Sequence, residues 1–229
     1  VFAARSAAAE SYAALLAGVG VEHGLIGPRE VDRLWSRHLL PGAVPATLIP
    51  RGSRVCDVGS GAGLPGLPIA LARPDCAVTL VDPMERRCRF LARAVGDADL
   101  ADQVTVRRAR AEDLAGESPE FDVVIARALA RLPMLLELLL PLCRAGGQVL
   151  AIKGSGVPAE IEEAADLLGG PRVASWDLVE LTVPGLPGVA DGVRLVRVIP
   201  AASVLPAGPR SHRQTPTTGR GRGREMGRR

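Results

Sequence analysis

Apolar and polar positions follow two rhythms along this chain. Before residue 50 the apolar residues recur at helical spacing. Residues 6–17 are rich in Ala and Leu, with Tyr12, Leu15 and Leu16 on one side. Beyond Pro28, which suits a helix start, Val31, Leu34, Trp35, His38 and Leu39 repeat in the same way. Pro41, Gly42 and Pro45 are expected to end this second helix. Trp35 is expected in the core. His38 reads either as a packed, hydrogen-bonded residue or as one near a ligand mouth. From Arg54 onward, short apolar runs of strand character alternate with longer helical segments. The expected strands are 55–58, 77–81, 104–106, 123–126 and 148–152, and the expected helices are 67–72, 85–95, 132–143 and 159–168. Two more strands are expected near 174–183 and 193–199, joined by Pro184-Gly185-Leu186-Pro187-Gly188. This alternation predicts an α/β fold. The sheet is seven-stranded and mostly parallel with an antiparallel edge strand, with helices on both faces and an N-terminal helical cap.

The same pattern divides the chain into a helical cap at 1–50, a main domain at 51–200 and a tail at 201–229. The tail is rich in Pro, Gly, Ser, Thr and Arg, includes Gly219-Arg220-Gly221-Arg222-Gly223-Arg224, and is expected to be disordered. Charge sharpens this division. The chain carries a net charge of +3, yet seven Arg and a single Glu lie beyond residue 200, so the body itself is slightly acidic. A nucleic-acid ligand would therefore need a local basic patch. Cys56, Cys76, Cys88 and Cys143 form no C-x-x-C pair, and the histidines are not spaced as zinc ligands. Free thiols in a reducing compartment and no metal site are expected. No basic segment precedes an apolar run at the N-terminus, and no apolar stretch is long enough to span a bilayer. A cytoplasmic protein with no membrane partner is expected.

Asp57-Val58-Gly59-Ser60-Gly61-Ala62-Gly63 follows the first expected strand and precedes a helix. Glycines here permit turn conformations closed to other residues and let a ligand approach the backbone. Gly61, Gly63 and Gly66 also satisfy the dinucleotide fingerprint G-x-G-x-x-G. The two ligand classes make different demands. A dinucleotide brings a pyrophosphate to the helix N-terminus, whereas S-adenosylmethionine has no phosphate and needs an acid near its ammonium. Asp57, just before the glycines, favours S-adenosylmethionine. Asp82 follows the second strand, where a carboxylate can accept hydrogen bonds from ribose hydroxyls. Ala111 and Glu112, after the third strand, fit adenine recognition as well as an ordinary helix start with acids in its first turn.

These and other segments resemble one family, the bacterial small-subunit rRNA guanine-N7 methyltransferases known as glucose-inhibited division protein B. The matching pieces are Arg37-His38-Leu39-Leu40, DVGSGAGLPGLPIA, LVDPMERRCRFL, RRARAED, FDVVIARALA, AIKG and GVRLVRVI, in the family's order over about residues 22–199. The Leu64-Pro65-Gly66-Leu67-Pro68 extension and Ala126-Arg127-Ala128 are the most specific. The resemblance implies a Rossmann-like class I methyltransferase fold and S-adenosylmethionine-dependent methylation of guanine N7 in 16S rRNA, at guanine 527 of the 530 loop. It implies a monomer whose partner is 16S rRNA or the small ribosomal subunit. By this resemblance and the motif together, the cofactor residues are Asp57, Gly59, Ser60, Gly61, Gly63, Leu64, Asp82, Ala111, Glu112 and Arg127. Arg127 and Lys153 are the expected catalytic residues. RNA contacts fall to Arg86, Arg89, Arg93, Arg110, Lys153 and Arg194. Pro41-Gly42 departs from the family, which has a polar pair after Arg-His-x-x.

Guanine N7 carries a lone pair and no proton, so methyl transfer needs positioning and electrostatics and no general base. In keeping with this, the Asn/Asp-Pro-Pro-Tyr/Phe motif of amino-group methyltransferases and the Pro-Cys of pyrimidine C5 enzymes are absent after the fourth strand. Lys153 is the only lysine and closes the fifth strand, beyond whose end ligands bind in open α/β sheets. Arg86, Arg89 and Arg93 share one helix face, readable as a phosphate-binding ridge or as a solvated surface. A small-molecule methyltransferase, a catalytically silent RNA-binding module and a nicotinamide dehydrogenase remain as alternatives at this point.

Overall fold

A computed structural model describes residues 1–2, 5–115, 120–182 and 192–202. The linker expected at 184–188 and the Arg/Gly-rich tail lie outside the described residues, apart from the tail's first two positions.

The strands are β1 Arg54–Val58, β2 Ala77–Val81, β3 Val104–Arg107, β4 Phe121–Arg127, β5 Cys143–Lys153, β6 Val173–Leu181 and β7 Val193–Pro200. They form one sheet in the order β3-β2-β1-β4-β5-β7-β6. The first five run parallel. β7 runs against β5 and β6, and it lies one place in from the edge strand β6. The helices are α1 Ser6–Leu15, α2 Leu40–Ala43, α3 Gly66–Ala72, α4 Glu85–Asp97, α5 Ala111–Leu114, α6 Leu132–Leu139, α7 Val157–Glu163 and α8 Ala165–Leu168.

Side chains alternate across a strand with a period of two, and the core divides accordingly. Val55, Val78, Val123, Ile125 and Leu150 pack with Tyr12, Leu16, Leu67, Ile69 and Leu91 on the face covered by α1, α3 and α4. Cys56, Val58, Val124, Ala126, Val149 and Ala151 pack with Leu132, Leu135, Leu136 and Val157 on the face covered by α5, α6 and α7. The four cysteines are free. Burial pushes their thiols up, that of Cys143 to about 12, so none is primed as a thiolate at neutral pH.

Three local expectations are corrected. The helix expected at 132–143 ends at Leu139, because Pro141 has no N–H to donate to the Glu137 carbonyl. The helix expected at 159–168 is two pieces, α7 and α8, broken at Ala164. In the cap, Pro41 and Gly42 do not end the second helix. Pro28–Arg33 forms a tight 3-10 turn, Leu34–Leu39 a wide π-type turn, and α2 then runs through Pro41 and Gly42. The mixed turns displace the helical repeat. Leu34 and Leu39 are buried, but Trp35 stays 38% exposed, edge-on to Phe2 at 6.2 Å. A Cβ at Gly42 would meet Pro68 Cγ at 3.1 Å, so the small residue lets α2 lie against the start of α3. No helix among the described residues is long and apolar enough to cross a membrane.

Candidate active site

The connections reverse direction at β1 and β4, which are sheet neighbours. Ligands in open α/β sheets bind beyond the C-terminal strand ends at such a switch point. The glycine loop leaves β1 at this place, and Arg127 ends β4 beside it. Gly59, Gly61 and Gly63 adopt φ of +72°, +57° and +94°, which is why the loop needs residues without a Cβ. Gly66 is required for a different reason. A Cβ there would lie 2.7 Å from Asp57 Oδ2 and also strike Leu80.

Asp57 is wholly buried on the cap side of the sheet. Its Oδ2 accepts the Gly66 N–H at 3.0 Å, while Oδ1 is buried with no partner. Burial pushes its carboxyl up to about 7, against the lowering influence of the Gly66 N–H, Ser60 and Arg127. Arg127 extends the same strand face as Val123 and Ile125. It is partly buried, and among the described residues its guanidinium has neither hydrogen bond nor ion pair. Burial draws its pKa down, while Tyr12 and Asp57 raise it. An orphaned carboxylate oxygen and an unmatched guanidinium therefore lie near enough at the switch point for each to shift the other's pKa. This pair suits the ammonium and carboxylate ends of an amino-acid ligand, so the residues present fit S-adenosylmethionine.

Asp82 is fully buried at the end of β2. Its Oδ1 accepts the Met84 N–H at 2.9 Å, and its Oδ2 accepts the Gly61 N–H at 3.1 Å and Arg87 Nη1 at 3.2 Å. It joins the glycine loop to the start of α4. Ser60 is a staple: its hydroxyl donates to the Asp57 carbonyl at 2.8 Å and accepts the Val81 N–H at 3.0 Å. Leu64 is a core residue, joined to Pro65 by a cis peptide. Ala111 is buried and Glu112 exposed at the start of α5, where Asp113 Oδ2 accepts the Arg110 N–H at 3.2 Å.

The expected basic residues separate into three groups. Arg86 and Arg110 are exposed, and among the described residues their guanidinium groups have no hydrogen bond or ion pair. Arg89 and Arg93 pair with Glu85 and Asp97 on α4, and Arg194 pairs with Glu180 at 2.6 Å. Such surface pairs are worth about 0–1 kcal/mol and yield readily to a phosphate. Lys153 departs from expectation. Its side chain is 7% exposed, and it faces the α6–α7 side. Its Nζ bonds Glu160 Oε2 at 2.6 Å and the Ala130 carbonyl at 2.7 Å. Strand parity puts it there: Arg127 pairs in register with Ile152, so Lys153, one residue on, points to the other face.

Tyr12, Glu30 and Leu129 were assigned no role at the site from the sequence. Tyr12, from α1, donates from its buried hydroxyl to the Ala62 carbonyl at 2.7 Å, tying the cap to the glycine loop. Its helical period marked it as apolar-facing, but not as a loop anchor. Glu30 holds His38 Nε2 at 2.9 Å, and His38 Nδ1 is buried and unpartnered. Burial and the nearby Arg127 cation hold His38 below its usual pKa in spite of Glu30. Leu129 lies on Gly59, where a Cβ would meet its Cδ1 at 2.8 Å. The preceding residue, Ala128, takes φ +53°, a left-handed conformation costing about 1–2 kcal/mol outside glycine.

A half-open groove of about 310 Å³ lies at the opposite, N-terminal end of the strands, lined by Pro50, Ser53, Asp122, Arg144 and Gln148 among others. Arg144 is paired with Asp122, and Gln148 donates to the Leu48 carbonyl. It has no part in the chemistry at the other end.

The sheet order and the glycine crevice at the β1–β4 switch point define a class I, S-adenosylmethionine-dependent methyltransferase. The fold is similar to that of an O-methyltransferase from Bacillus cereus solved in complex with SAH (TM-score 0.58, 16% identity, covering 83% of this chain and 90% of that one). It is also similar to a tRNA methyltransferase from Aquifex aeolicus (TM-score 0.53, 15% identity, covering 70% and 68%). The model of the family "rRNA small subunit methyltransferase G" matches residues 5–173, and the chain belongs to that family. Proteins of that name are similar to it in Frankia alni (48% identical over 202 residues, 87% of this chain and 76% of the relative) and Kineococcus radiotolerans (46% over 224 residues, 96% and 87%). Another, from Mycolicibacterium smegmatis, is 53% identical over 165 residues, covering 71% and 69%.

Proposed function

We propose that this chain methylates N7 of one guanine in 16S rRNA, guanine 527 of the 530 loop, with S-adenosylmethionine as methyl donor. The observation that carries the cofactor reading is the neighbouring pair of the unpartnered Asp57 Oδ1 and the unmatched Arg127 guanidinium. In this reading Asp57 receives the cofactor's ammonium and Arg127 its carboxylate. Gly59, Gly61 and Gly63 admit its body, Asp82 takes the ribose, and Ala111 with Glu112 the adenine. The cofactor supplies an electrophilic methyl on its sulfonium. The protein's part is to hold that methyl in line with a guanine N7 that already has its lone pair. No base is required, and the buried Asp57, its carboxyl pushed up to about 7, is turned toward the cofactor's amino end. Arg86, Arg89, Arg93 and Arg110, from exposed positions, and the half-buried Arg194 supply phosphate contacts. In this reading Lys153, held by Glu160, touches neither the cofactor nor the RNA.

Calorimetry with S-adenosylmethionine, followed by transfer of labelled methyl to 16S rRNA, tests the reading. Binding followed by incorporation into RNA is expected. Absence of cofactor binding would favour a silent RNA-binding module, and incorporation without RNA a small-molecule enzyme.

A further inference from the structure

The segment between β4 and α6 carries Leu129 against Gly59 and follows directly on Arg127. Its far end is gripped from the other side of the sheet. Lys153 Nζ donates to the Ala130 carbonyl at 2.7 Å and pairs with Glu160 at 2.6 Å. The same Glu160 oxygen, Oε2, accepts the Leu132 N–H at 2.7 Å. That N–H is among those a helix start leaves without an internal partner, and α6 has no side-chain cap of its own. Arg131 adds an outer pair with Glu163. One buried ammonium and one largely buried carboxylate thus fix residues 130 and 132 through three bonds. The left-handed Ala128 then turns the chain so that Leu129 covers the glycine loop.

We propose that Lys153 and Glu160 are positioning residues for methyl transfer, clamping the 128–131 segment so that Leu129 caps Gly59 and Arg127 keeps its place in the crevice. The clamp acts on the reaction through the segment, and its ammonium does not meet RNA. Removing either partner leaves the other charge buried without its counterion and frees a backbone group at one end of the segment. The segment then loosens beside the reacting centre, where small misplacements are costly. The inference rests on the assignment of the glycine loop to the cofactor.

The test compares Lys153→Met, Glu160→Gln and their double variant in the full chain. Three quantities are measured: affinity for S-adenosylhomocysteine, the single-turnover rate of methyl transfer to 16S rRNA, and the salt dependence of RNA binding. Each single variant is expected to slow transfer about tenfold to a hundredfold. The double variant should be no slower than either one, because both break one clamp. The slope of log RNA affinity against log salt should not change. The clamp is overturned if Lys153→Met lowers that slope by about one while Glu160→Gln transfers at the normal rate, the signature of a phosphate contact. Leu129→Ala, on an exposed side chain, serves if the clamp variants fail to fold: a normal transfer rate there removes the segment from the mechanism. Gly61→Asp separates the two readings. Retained S-adenosylhomocysteine affinity in a folded Gly61→Asp protein defeats the cofactor-site assignment itself. Lost affinity there, together with unslowed clamp variants, defeats the clamp alone.

Discussion

Arg127 and Lys153 end neighbouring parallel strands one residue out of register, and their cations point to opposite faces of the sheet. Arg127 enters the crevice with Asp57, on the face of the cap. Lys153 enters the layer of α6 and α7 and is neutralised there by Glu160. Two cations that look equivalent along the sequence therefore do different work.

Arg127→Ala is expected to lower turnover or cofactor affinity at least about tenfold and to leave stability unchanged or slightly higher. The guanidinium is desolvated without a protein partner, so its removal relieves a cost. Thermal melting of the cofactor-free protein, measured with steady-state kinetics, checks this. A parallel loss of melting temperature and activity would make Arg127 structural.

Gly61 and Gly66 are expected to respond differently to substitution. Gly66→Ala drives a methyl onto Asp57 and Leu80 and should cost about 1–3 kcal/mol of stability. A Cβ on Gly61 would meet only the Gly59 carbonyl, at 3.8 Å. Gly61→Asp should therefore stay folded at about the 1–2 kcal/mol cost of a left-handed conformation outside glycine, and it should lose cofactor binding through bulk and charge in the crevice. Urea denaturation and calorimetry on both variants distinguish the two kinds of glycine.

Asp57 gives the protein a pH dependence of defined sign. Its folded carboxyl is pushed up to about 7 from the ordinary 3.8. Between these values the folded state holds a proton that the unfolded state has released. This contribution to stability therefore falls as pH rises through that window and is fully lost above about 7. An ammonium bound at Oδ1 favours the ionised form, so cofactor affinity should rise with pH through the same range, with proton release. Asp57→Asn should abolish both trends. Melting temperatures and calorimetry at pH 4 to 8, taken as differences between the two proteins, provide the check. A wild-type affinity that is flat with pH would contradict it.

Tyr12→Phe removes the donor from the buried Ala62 carbonyl. It should cost about 1–3 kcal/mol and weaken cofactor binding, since the tie runs from the cap to the glycine loop. Denaturation and S-adenosylhomocysteine titration measure the two effects. Unchanged affinity would confine Tyr12 to packing.

Much of the fold was legible because each strand from Val55 to Ile152 is a short apolar run between polar or glycine-rich breaks, and each such run became a strand of the sheet. The cap was less so. Trp35 shares the spacing of Leu34 and Leu39, but a spacing argument assumes α-helical turns, and this segment mixes tight and wide ones. At the site, Asp57, Gly61, Asp82 and Arg127 were singled out from motif, position and family resemblance, and they gather at the C-terminal ends of β1, β2 and β4. The Lys153–Glu160 pair was not legible as a pair, because its partner is on a later helix. The parity of β5 held half of the signal: Val149 and Ala151 belong to the same face as Lys153, opposite Leu150 and Ile152. Tyr12 and Leu129 could be given no role from the sequence, although Leu129 lies in a family segment, because each acts on a backbone atom or an α-carbon distant in sequence.

The central claim is methyl transfer to a guanine N7 in the small-subunit rRNA. The most direct measurement incubates the protein with labelled S-adenosylmethionine and 16S rRNA from cells lacking the modification, then maps the label to the nucleotide and atom. The account predicts a single methyl on N7 of guanine 527 in the 530 loop. A methyl on another atom or base would contradict it.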